Sequence, residues 1–167
     1  MSRLPPLLPS EALRRVLRMA RMDGTCVLLI AGLFALAAAA GHDRLGTVVG
    51  LLVAGAGALE LHGAGLVRSA QTRGMGWLIL SQIYLMVVIL GYVAFQMRHV
   101  DAFASLFPAD LLHQYAAQTG VTVKALRKTL SSQFALIVAV VTVLYQGGMS
   151  VYYFRRRSAV HAALRDG

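Results

Sequence analysis

Two ionisable residues, Glu60 and His62, stand inside an otherwise apolar stretch of the chain. A carboxyl in such a setting costs a few kcal/mol on insertion scales, so it marks either a helix–helix hydrogen bond or a place where an ion, a proton or a polar solute is handled. Glu60 lies between runs of small residues: Gly55, Ala56, Gly57 and Ala58 before it, Gly63, Ala64 and Gly65 after it. At helical spacing Ala56, Gly57, Gly63 and Ala64 share its face, and small residues let helix backbones approach closely. Glu60 is therefore expected to face protein rather than lipid.

Depth arithmetic adds partners. Gln82, Gln146 and Glu60 each fall about seven or eight residues from the same end of their apolar segments, which puts them within a few ångströms of one level at a rise of about 1.5 Å per residue. Ser81, Tyr84 and Tyr145 lie near that level, and the first segment offers Ala31 and Gly32 there. A polar layer containing Glu60, His62, Gln82, Tyr84, Gln146 and Thr142 is the candidate transport site. Thr142, Gln146, Met149 and Tyr153 also recur at steps of four, three and four, forming one stripe of a helix. The alternative is structural, with a protonated or hydrogen-bonded Glu60 and the amides as interhelical glue.

Other chemistry is not expected. Glu60 and His62 are two residues apart and occupy different helix faces, which does not suit a shared metal. His42, His99, His113 and His161 lie outside the apolar core. Haem would need a second axial ligand at the level of His62, and no cofactor is expected. The chain shows no nucleophile elbow, no P-loop and no acid–base pair, so an enzyme is not expected either. The single cysteine, Cys26, permits no intrachain disulfide and reads as packing.

The elements that must position these residues are membrane helices. The chain is 57% hydrophobic and 14% charged, against about 45–50% and about 25% for ordinary soluble domains. Four apolar segments, 24–41, 46–67, 75–97 and 133–154, each hold about 18–23 residues, close to the ~20 a helix needs to cross the hydrocarbon core. The expected fold is an all-α membrane protein, a four-transmembrane-helix bundle forming a single membrane domain. No cleavable signal peptide is read at the N-terminus, and the first span is expected to be retained.

Short links between the first three spans imply antiparallel neighbours. The net charge of +9 comes from arginines at the ends of apolar segments. Eleven of the sixteen Lys and Arg fall on the side that carries both termini, which places those termini in the cytoplasm, in a bacterial-type inner membrane. Residues 9–22 read as an amphipathic basic helix. Ser10 is its expected N-cap, Leu13, Val16, Leu17 and Ala20 its apolar stripe, and Arg14, Arg15, Arg18 and Arg21 its lipid-headgroup face. Arg155, Arg156 and Arg157 open a basic cytoplasmic tail, 155–167. Tyr152 and Tyr153 beside them look like an aromatic belt.

The connection 98–132 is expected to be an extracytoplasmic loop with two short helices. Pro108 opens the first, Gly120 ends it, and Thr122 caps the second. Within it, Tyr115 to Lys128 resembles the helix-turn-helix of bacterial transcription regulators, with Ala116, Gly120 and Leu126 at the small, turn and core positions. The resemblance implies DNA contact only with a third helix and a cytoplasmic location. The charge asymmetry puts the loop outside, so no nucleic-acid partner is expected.

Together these features point to a small oligomeric channel or transporter for an ion or small polar solute. The expected partners are the lipid bilayer and further copies of the chain. The alternative is a non-transporting scaffold or anchor that holds a membrane-protein partner.

Overall fold

The computed structural model describes residues 8–98 and 109–165. All regular structure among them is helical: α1 (Pro9–Ala40), α2 (Arg44–Arg68), α3 (Gly74–Arg98), α4 (Ala109–Thr119) and α5 (Val123–Arg165). Four of these, α1, α2, α3 and α5, are long and apolar enough to cross a membrane.

Two helices run further than the apolar segments suggest. α1 is continuous over 32 residues, so the basic helix 9–22 and the first span are one rod. Nothing between Met22 and Thr25 breaks a helix. Its N-cap is Leu8 rather than Ser10, because Pro9 at the first helical position has the right φ and no N–H to satisfy. α5 is continuous over 43 residues and absorbs the second loop helix, the fourth span and most of the expected tail. Thr122 does cap its start, accepting a hydrogen bond from the Ala125 N–H at 3.3 Å. Gly120, at φ +68°, ends the turn after α4. Pro108 lies outside the described residues.

The α1–α2 and α2–α3 connections share one device. After α1 the Asp43 N–H bonds the Ala38 carbonyl and the His42 N–H bonds Ala39, with His42 at φ 58°. After α2 the Gln71 N–H bonds Leu66 and the Ala70 N–H bonds Val67, with Ala70 at φ 58°. Both are Schellman closures with a left-handed residue where glycine is usual. Asp43 then caps α2, its side chain accepting from the Gly46 N–H at 2.9 Å.

The chain divides into two compact units. The first comprises residues 1–88 and 145–167 and carries the main core. Val16 and Ala20 of α1 pack with Ala64 and Val67 of α2, Met75 and Leu78 of α3, and Met149, Tyr153 and Val160 of α5. The apolar stripe of the N-terminal arm is thus buried in protein and not laid on a surface, and Val160 pins the C-terminal end of α5 into the same core. The second unit, 89–144, holds Val93 and Ala135 in a small cluster with Ile89, Val138 and Ala139. On α4 the buried face is Leu112 and Ala116, whereas Leu111 and Tyr115 are exposed.

Close backbone approach sets the first unit. A Cβ on Gly57 would lie 2.7 Å from the Gly24 carbonyl oxygen and 2.7 Å from the Leu28 nitrogen. On the neighbouring face, a Cβ on Gly63 would lie 3.0 Å from Leu78 Cδ2. α2 therefore packs on α1 through Gly57 and on α3 through Gly63, with Glu60 between the two contacts.

Candidate functional site

Glu60 is 2% exposed, and Ala56, Gly57, Gly63 and Ala64 around it are buried, as its small-residue face requires. The Tyr153 hydroxyl donates to Glu60 Oε1 at 2.6 Å. Tyr153 is fully buried and belongs to the core, not to an aromatic belt. The tyrosine is seven residues after Gln146, two turns along the α5 stripe to which its periodicity assigns it.

The first helix contributes an acid that the sequence reading left out. Asp23 precedes the apolar run, but α1 continues through it and the Gly24–Gly57 contact sets it beside Glu60. Gln82 Nε2 donates to Asp23 Oδ2 at 3.2 Å, and the Tyr145 hydroxyl donates to Asp23 Oδ1 at 2.9 Å. The Glu60 carboxyl also neighbours the Asp23 carboxyl and the Gln82 side chain. All four long helices thus feed one layer: Asp23 from α1, Glu60 from α2, Gln82 from α3, and Tyr145 and Tyr153 from α5, with Gln146 buried on α5 next to Tyr145 in sequence. The level on α1 is that of Asp23, about eight residues before the expected Ala31.

The layer has a closed side and an open side. Glu60, Gln82, Gln146 and Tyr153 are buried, and Tyr153 is itself part of the packed core. Asp23 is half-buried and Tyr145 is 49% exposed. Two carboxyls this close can share one proton or hold one cation between them.

Other expected members lie elsewhere. His62 is exposed, its ring edge-on to Trp77 at 5.4 Å between centroids. Tyr84 is half-buried on α3, its hydroxyl 4.0 Å from where a Gly55 Cβ would stand. Thr142 is buried within the second unit. Ser81 is buried, but its hydroxyl donates to the Leu78 carbonyl of its own helix at 2.9 Å. Cys26 is exposed rather than packed. No group of three or more His, Cys, Asp or Glu gathers among the described residues.

The basic residues lie on the outside of the first unit. Arg14, Arg15, Arg18 and Arg21 are exposed on α1, as are Arg155 and Arg157 on α5, while Arg156 is half-buried.

No protein-family model, curated protein or solved structure matches this chain.

Proposed function

We propose that this protein is a small membrane channel or transporter for an ion or small polar solute, with Asp23 and Glu60 as its working pair. The observation that carries the reading is the juxtaposition of two carboxyls from different helices in a layer to which all four long helices contribute. Helix association alone is served by Gln or Ser at lower cost than by two acids.

The bilayer setting rests on the four long apolar helices and on their outward faces. Leu29, Ile30, Leu33 and Phe34 on α1, Leu51 on α2, Val87 on α3, and Leu136, Ile137 and Leu144 on α5 are all exposed. Apolar surface on this scale needs lipid around it. The arginine asymmetry supports cytoplasmic termini in a bacterial-type inner membrane. The open Asp23–Tyr145 side supports a homo-oligomer in which a second copy faces that edge.

The test is flux in reconstituted vesicles. Glu60→Gln keeps shape and hydrogen bonding but removes the titratable group; it is expected to assemble normally and lose flux or change selectivity. Leu59→Ala is the neighbouring control and is expected to conduct like the parent. A Glu60→Gln variant that conducts like the parent would assign Glu60 to structure and put the transport site elsewhere, whereas no flux from either protein would favour the scaffold reading.

A further inference from the structure

Four donors in and beside the polar layer are committed, and acceptors are left over. The Tyr153 hydroxyl is committed to Glu60, and the Tyr145 hydroxyl and Gln82 Nε2 to Asp23. The Ser81 hydroxyl is committed to a backbone carbonyl. Yet Gln82 Oε1 is buried with no hydrogen-bond partner, on a side chain that is 1% exposed. Standard amide geometry puts that oxygen roughly 2.2 Å from the Nε2 that bonds Asp23, hence within the same cluster. Gln146 Oε1 is also buried and unpartnered, on a side chain 6% exposed that shares the Tyr153 face of α5. Buried acceptors without partners are uncommon, and each calls for a donor or a positive charge.

We propose that Asp23, Glu60, Gln82 and Gln146 form a binding site for a hard monovalent cation, with sodium preferred. This deepens the transport reading and rests on it for the role of the site, though not for binding itself. The buried side-chain atoms left without partners here, Gln82 Oε1 and Gln146 Oε1, are both oxygen acceptors, which disfavours an anion and matches a hard cation rather than a thiolate- or imidazole-seeking metal. Calcium takes about six to eight oxygens, and magnesium demands a near-ideal octahedron. Three of the four carboxyl oxygens already accept hydrogen bonds, which leaves Glu60 Oε2 and the two amide oxygens, short of either set but suited to a partly dehydrated alkali ion. Close carboxylates present a strong field, which favours sodium over the larger potassium. The half-buried Asp23 and the exposed Tyr145 mark the side from which the ion enters.

The experiment uses the full chain purified in detergent in choline chloride. Sodium, potassium and magnesium are titrated at constant ionic strength. Radioactive sodium binding and thermal unfolding are both read. The expected result is saturable binding near one sodium per chain, with stabilisation that potassium and magnesium do not match. Asp23→Asn, Glu60→Gln and Gln82→Met are each expected to weaken sodium binding by about tenfold or more, equivalent to about 1.4 kcal/mol or more. Gln146→Met should weaken it by several-fold. Because the wild-type ion comparison needs no variant, a misfolded mutant cannot mask the answer. Absence of saturable sodium binding, preference for magnesium, or sodium binding untouched by Asp23→Asn and Gln82→Met in folded variants would each overturn the site. Glu60-dependent proton flux in sodium-free vesicles together with no sodium binding would sink this inference and leave the transport reading standing. Sodium binding without any flux would do the reverse.

Discussion

Gly57 of α2 meets Gly24 of α1 so closely that a methyl group on Gly57 would stand 2.7 Å from the Gly24 carbonyl oxygen. The same crossing sets Asp23, one residue before Gly24, beside Glu60, three residues after Gly57. Gly57→Ala must therefore push the helices apart and separate the carboxyls. Overpacking of this kind costs about 1–3 kcal/mol, of which better helix propensity returns up to about 1 kcal/mol. A net loss of stability in detergent is expected, measured by thermal unfolding. Gly65→Ala is the matched control, since an added Cβ there meets nothing within 4 Å. Equal behaviour of the two variants would refute the close crossing.

The Tyr153–Glu60 hydrogen bond makes a second prediction. Tyr153→Phe keeps the buried ring and removes only the 2.6 Å bond. Loss of about 1–3 kcal/mol is expected, the range for a buried hydrogen bond to a group left unsatisfied. In a double-mutant cycle with Glu60→Gln, the two changes should be non-additive by at least about 0.5 kcal/mol. Strict additivity would mean that the two groups do not share a bond.

The residues that the sequence placed well are those governed by helical periodicity. The small-residue face of Glu60 and the buried stripe Thr142, Gln146, Met149 and Tyr153 both follow from about 3.6 residues per turn. Gln82 followed from depth alone. Asp23 was missed because the span boundary was drawn where the apolar run begins, while hydrogen bonding along α1 does not stop there. His62 is two residues from Glu60, about 200° round the helix, so its proximity in sequence carried it to the opposite face. Tyr153 carries two readings, a member of the α5 stripe and half of an aromatic belt, because a Tyr–Tyr pair close before three arginines fits both roles. Only the packing of neighbouring helices separates buried Tyr153 from half-buried Tyr152.

The turn after α2 offers a stabilising change. Ala70 sits at φ 58°, in the left-handed region, and closes the Schellman motif that satisfies the end of the helix. A Cβ there costs roughly 1 kcal/mol, which glycine avoids. Ala70→Gly is expected to raise stability by about 0.5–1 kcal/mol despite the freer unfolded chain. A lower unfolding temperature would show that the turn relaxes into a different backbone conformation.

Orientation is open to direct labelling. In the proposed four-span topology, eleven of the sixteen Lys and Arg lie on the side carrying both termini. Single cysteines at Ser2 and Ser105, in a Cys26→Ala background, should respond oppositely to an impermeant thiol reagent in intact cells. Position 105 should label and position 2 should not. Both residues lie outside the described part of the structure, so the assay reads side alone. Reversal of that pattern would invert the proposed topology and with it the direction from which Asp23 is reached.

The N-terminal arm separates two physical pictures. A helix lying on a lipid surface would hold Val16 in the headgroup boundary, where a polar replacement weakens lipid binding and leaves the bundle intact. Here Val16 is 0% exposed and packs in the core with Val67, Met75, Leu78, Tyr153 and Val160. Val16→Asp puts a carboxyl among these apolar side chains with no hydrogen-bond partner supplied. The expected cost exceeds about 4 kcal/mol, the range typical of core disruption. It should appear as loss of cooperative unfolding in detergent, with no anionic lipid present. Arg15→Ser, on the exposed side of the same turn, should stay within about 0.5 kcal/mol of the parent. Val16→Asp with an unchanged unfolding transition but weaker binding to anionic vesicles would return the arm to the membrane surface. Residues 9–22 would then be a separate interfacial anchor, and Asp23 would lose the continuous helix that carries it to Glu60.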